Sequence, residues 1–105
     1  MRKDTLHKGV AAFFPVSPHV VCALVSARDQ VGQIIEAVSA VEYRFVGSSL
    51  LVVYEGGRAL VRLIDFGRAR ATPGEGPDEG VLLGLKNFHT LLQGRIDELS
   101  MDTSN

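Results

Sequence analysis

The chain has 105 residues, which suits one domain with one modest core. At 46% hydrophobic and 22% charged, it has a globular composition, neither disordered nor fibrous. The net charge of −1 decides nothing about nucleic acid and requires any basic site to be local, and the lone Cys22 excludes an internal disulfide.

Residues 1–16 read as a polar lead and a short apolar piece, Val10 to Phe14, closed by Pro15. The apolar stretch GVAAFF is too short for a signal peptide. No stretch approaches the roughly 20 apolar residues of a membrane span, so cytosol or nucleus is the expected compartment. Ser17 and Pro18 then mark a helix start, a capping side chain followed by a residue pre-set for the first turn. Apolar residues at Val20, Val21, Leu24, Val25, Val31, Ile34, Ile35, Val38 and Val41 make one stripe, which predicts a helix from about 18 to 41. Cys22 lies in this apolar run and is expected to be a small buried hydrophobe. Gly32 weakens the helix centre by about 1 kcal/mol relative to Ala.

The pattern then changes. Tyr43 to Gly47 leads into Leu50–Tyr54, where aromatic and β-branched residues favour a strand. Glu55-Gly56-Gly57-Arg58 signals a turn, and a second apolar run spans Ala59 to Phe66. Two such runs predict an antiparallel hairpin, covered on both faces because each is apolar on both in places. Residues 67–77, rich in Gly, Pro and Arg, read as loop. A second helix starts with Asp78 as N-cap and carries the stripe Val81, Leu82, Leu85, Phe88, Leu91, Leu92, Ile96 and Leu99. Residues 1–16 and 100–105 are expected to be poorly ordered. The predicted fold is α+β: long helix, hairpin, loop, helix.

Asp65 is the residue on which chemistry turns. It follows three apolar residues, where burial would be costly, so it belongs where the strand ends. A carboxylate there either holds a hard divalent cation, or caps a turn or pairs with a neighbouring arginine. Arg58, Arg62, Arg68 and Arg70 make this stretch locally positive. That pattern suits phosphate, and equally suits a solvated strand edge. Ser48 and Ser49 at a strand start either meet a ligand or satisfy a backbone end. His7, His19 and His89 have no metal-ligand spacing, and Tyr43 with Phe45 makes no stacking platform for nucleic acid.

The segments YRFVGSSLLVVYEG, VRLIDFGRA and DEGVLLGLKNF occur in that order. Together they resemble the C-terminal region of the inositol polyphosphate kinases, the family of the multikinases, trisphosphate 3-kinases and hexakisphosphate kinases. The residues that carry the resemblance are Ser48-Ser49-Leu50-Leu51, Ile64-Asp65-Phe66, and Asp78 and Gly80 with Gly84-Leu85. The resemblance implies that Asp65 coordinates Mg²⁺ on the phosphates of ATP. It implies that the SSLL strand floors the nucleotide site, with Ser48 and Ser49 near the catalytic centre. Arg68 then faces phosphate, and Asp78 and Gly80 open the closing helix. Gly67-Arg68 stands where the family has Ala-His, and Val81 where it has an aromatic. The family's P-x-x-x-D-x-K-x-G run and its N-terminal ATP lobe do not occur in these residues. A protein kinase reading of IDFG and GLKNF fails, because no H-R-D-x-x-x-x-N precedes Asp65 and no A-P-E follows it.

The expectation is an ATP-dependent inositol polyphosphate kinase, represented by a C-terminal portion. Its substrate would be an inositol phosphate, with no nucleic acid and no membrane. The rival expectations are a non-catalytic module that binds inositol phosphates or a partner, and a remnant without function. A lone C-terminal lobe should also expose apolar surface and self-associate, or dock the N-terminal lobe.

Overall fold

The computed structural model describes residues 19–102. The expected start at Ser17–Pro18 and the apolar piece Val10–Phe14 lie outside them. In chain order the elements are α1 (Val20–Ser39), β1 (Tyr43–Phe45), β2 (Ser49–Glu55), β3 (Arg58–Ile64), β4 (Ala69–Ala71) and α2 (Glu79–Asp102).

The two helices pack on each other and under the hairpin. The largest fully buried side chains, Leu24, Val31, Leu92 and Val61, come from α1, α2 and β3, which places the core where those three meet. Taking each such side chain out of water contributes about 1.5–3 kcal/mol. The α2 stripe is buried as its spacing predicts: Leu82, Leu85, Leu91, Leu92, Ile96 and Leu99 are all inside. On α1 the buried face also includes Ala23 and Ala27, which the search for large apolar residues passed over. Cys22 is exposed rather than buried, because it falls beside that face. Val41 is exposed too, since the helix has already ended at Ser39. A polar contact ties the helices: Arg28 donates to Gln93 Oε1 at 2.8 Å, and Gln93 in turn donates along α2 to Asp97 at 2.9 Å.

The hairpin forms as expected. Strands β2 and β3 pair antiparallel from Ser49↔Ile64 to Glu55↔Arg58, closed by Gly56 and Gly57. Gly56 has φ +61°, the twist that two-residue hairpin loops demand and that other residues resist. Burial alternates along both strands, so the hairpin is covered on one face only. Leu51, Val53 and Leu60 stand on the open face at 41%, 49% and 42% exposure. The expectation of two covered faces is therefore corrected: both helices lie on the same side.

The segment after Asp65 departs from the sequence reading as well. Residues 69–71 form β4, antiparallel to β1, with Arg44 opposite Arg70. Three residues flanked by Gly and Pro carry no strand signal of their own, and the ladder with β1 supplies it. Helix α2 begins as expected, with the Val81 and Leu82 amides donating to the side chain and carbonyl of Asp78. It continues to Asp102, past the expected fraying point at Leu99. No helix among the described residues is long and apolar enough to cross a membrane.

Candidate functional site

The open end of the hairpin gathers Ser48, Ser49, Asp65 and Arg68 of the residues singled out by sequence. Asp65 is the first residue beyond β3, and it is exposed. Its backbone φ is +66°, the sole positive value at a non-glycine among the described residues. Asp tolerates this left-handed region better than most residues, but at a cost in energy. Its carboxylate has no hydrogen-bond or ion-pair partner among the described residues, where the ion pairs are Arg28–Asp29 and Arg95–Glu98. The alternative of an Asp paired with a nearby arginine is thus not realised.

Two tight turns flank it. The Ala69 amide donates to Phe66 O at 2.9 Å, so Gly67 and Arg68 form the bend between Asp65 and β4. The Ser48 amide and hydroxyl both donate to Phe45 O, at 3.3 and 2.9 Å, closing the bend between β1 and β2. The two bends touch: a Cβ on Gly47 would lie 3.7 Å from Arg68 Cδ. Ser49 is exposed and sits directly across from Ile64, the residue before Asp65. Ser48, Ser49, Asp65 and Arg68 therefore meet at one end of the fold. Ser48 spends its proton on the backbone, whereas Ser49 has no described partner.

The four arginines do not converge. Arg58 sits at the hairpin tip, the opposite end of β3 from Asp65. Arg62 donates to Gln30 Oε1 at 3.2 Å and to Val61 O at 2.8 Å. Arg70 lies on β4, and only Arg68 stays beside the carboxylate.

Asp78, expected as the N-cap of α2, holds this end together with Glu42 and Arg44, which the sequence reading passed over. Asp78 receives the Phe45 amide on Oδ2 at 3.0 Å and the Val81 amide on Oδ1 at 3.2 Å, clamping α2 to β1. Burial disfavours its charge, yet the Phe45 and Val81 amides, the Arg44 guanidinium and the Gly80 amide outweigh that and hold its pKa below the usual range. Glu42 accepts from the Gly76 amide at 2.8 Å, and the Gly76 and Gly74 amides, with a lesser contribution from Arg44, lower its pKa against the opposing effect of desolvation. Arg44 donates to Gly76 O at 3.0 Å and Thr72 Oγ1 at 3.3 Å. Its guanidinium is engaged by the 72–76 loop and is not offered to a ligand. Short-range sequence carries no signal for these contacts, since the partners lie about thirty residues apart.

A groove of about 620 Å³ adjoins this end, between the C-terminal half of α1 and Tyr43, Phe45 and Phe66. It has no charged lining residue. No group of three or more metal-ligating side chains occurs among the described residues. A lone carboxylate still fits Mg²⁺, which keeps several waters and takes its remaining ligands from phosphate.

The family model for inositol polyphosphate kinase matches residues 1–93. The chain belongs to that family. Its fold is similar to that of the inositol phosphate multikinase Ipk2 of S. cerevisiae, solved in complex with ADP and Mn²⁺, with a TM-score of 0.80 at 19% identity. The match covers 91% of this chain and 48% of Ipk2, so the chain spans about half the length of that structure. No curated protein matches the sequence closely enough to count as a relative.

Proposed function

We propose that this chain supplies the metal- and phosphate-facing half of an ATP-dependent inositol polyphosphate kinase, with Asp65 as the metal ligand. The observation that carries the reading is the Asp65 carboxylate: unpartnered among the described residues and held at φ +66°. Strain of this kind persists where the surrounding structure enforces it, and it clusters at functional sites.

The neighbours suit a nucleotide. Leu51 and Ile64 lie on the open face of the hairpin beside Asp65, an apolar floor for a flat base. Arg68 is available to a phosphate oxygen, and Ser49 offers a hydroxyl. A divalent cation, when bound, would neutralise phosphate charge during transfer. The protein's own task is positioning: the bends at Phe45–Ser48 and Phe66–Ala69 fix where carboxylate, hydroxyl and guanidinium stand.

Asp65→Asn tests the assignment in the protein carrying the whole catalytic domain. Asn also accepts the left-handed backbone, so the fold is kept while the charge is lost. Turnover of an inositol phosphate is expected to vanish, with thermal stability within about 0.5 kcal/mol of the parent. Near-normal turnover would remove Asp65 from the metal site. Gly67-Arg68, where the family has Ala-His, favours one second reading, a binding module without catalysis. ADP and Mn²⁺ binding without turnover in the complete protein would select it.

A further inference from the structure

The left-handed backbone at Asp65 has to be held from both sides, because its carboxylate has no partner of its own among the described residues. On the upstream side the hairpin does this: Ile64 pairs with Ser49 at the end of the β2–β3 ladder. On the downstream side no ladder begins until Ala69. The residue in between is Phe66, a large apolar side chain left 52% exposed. Its aromatic neighbour among the described residues is Phe45, whose ring lies edge-on at a centroid distance of 6.1 Å.

Phe45 is itself fastened by its backbone. Its amide donates to Asp78 Oδ2 at 3.0 Å, and its carbonyl accepts both the amide and the hydroxyl of Ser48. Across the β1–β4 ladder it stands opposite Ala69, whose amide closes the bend that starts at Phe66. One residue therefore touches both bends of the site. It reaches the Phe45–Ser48 bend through its carbonyl and the Phe66–Ala69 bend through its ring and its strand partner. Burial alone would be served as well by Leu at this half-buried position, whereas the edge contact with Phe66 needs a ring. Tyr43 also stacks on Phe45, at 6.2 Å, but its strand partner is Ala71, two residues further from the bends.

We propose that Phe45 is a positioning residue for the metal site: acting through Phe66, it holds the backbone that aims the Asp65 carboxylate. The inference rests on Asp65 as the metal ligand and adds the residue that keeps it in place. Without the ring contact, Asp65 can relax out of the left-handed region and swing its carboxylate away. The apparent affinity for the cation then falls by the fraction of molecules that still hold the bound geometry.

The test uses the protein carrying the whole catalytic domain. Phe45→Leu should weaken Mg²⁺ binding, measured by calorimetry with ADP present, by about two- to tenfold. The KM for Mg²⁺-ATP should rise with it, while kcat at saturation stays within about twofold of the parent. Loss of folded protein would instead lower kcat and leave KM alone, and thermal melting checks the fold of each variant. Phe66→Leu should reproduce the loss, and the double variant should be no worse than either single one, since both remove the same contact. Tyr43→Leu should leave Mg²⁺ affinity unchanged. Additive losses in the double variant, or an equal loss in Tyr43→Leu, would overturn the proposal. Asp65→Asn is run beside them. If it loses Mg²⁺ affinity and Phe45→Leu does not, the positioning role alone falls. If Asp65→Asn binds Mg²⁺ as the parent does, the metal assignment falls and the positioning role with it.

Discussion

Removing the Asp78 side chain should unfasten the site end of the molecule. In Asp78→Ala the Val81 amide loses its cap, worth about 0.5–2 kcal/mol at an N-cap. The Phe45 amide loses a charged acceptor, worth about 1.5–3 kcal/mol when solvent is excluded. Asp78 is only half-buried and water takes part of that place, so the sum is discounted to about 2 kcal/mol. The urea midpoint should fall with unchanged slope, and the melting temperature should drop by about 10 °C. Asp78→Asn keeps one acceptor and loses the charge, so it should fall between the two. The direction of the pKa adds a second test. Because the folded-state value is depressed, the stabilisation is whole above the ordinary carboxylate pKa of about 4 and is lost as pH falls through the folded value. The gap between parent and Asp78→Ala, measured at pH 7, should therefore narrow below about pH 4. A loss under about 0.5 kcal/mol, or a gap that does not change with acid, would refute the clamp.

Gln30→Ala should cost about 1–3 kcal/mol, because Ala59 O and Val61 N–H lose their partner, and the Val61 amide should exchange faster by NMR. An unchanged exchange rate there would mean that Gln30 does not close the β3 edge. Gly32→Ala should stabilise the protein by about 0.5–1 kcal/mol in urea unfolding. The added Cβ meets nothing nearer than His89 Nε2 at 3.9 Å, so destabilisation would refute this open crossing of α1 and α2.

Much of this protein is written in local sequence. The 3.6-residue periodicity of α1 and α2, the Gly56–Gly57 turn and the Asp78 cap each rest on interactions within a few residues, where spacing and side-chain type suffice. The position of Asp65 at a strand end follows from the cost of burying an acid inside an apolar run. Strand β4 was not legible, because three residues become a strand only when β1 offers them a ladder. Nor was the loss of the arginine cluster. Four charges close in sequence separate by several strand positions once β3 is extended, and α1 takes one of them through Gln30. Cys22 and the open face of the hairpin fail for a shared reason. Apolar character sets a tendency to be buried, but which face meets a partner depends on where both helices finally lie. Sequence alone therefore determined the elements and the family resemblance. Only the tertiary structure decided that Ser48, Ser49, Asp65 and Arg68 share one end. Only it decided that Glu42, Arg44 and Asp78 hold that end, since hydrogen bonds across some thirty residues exist only after the chain has closed on itself.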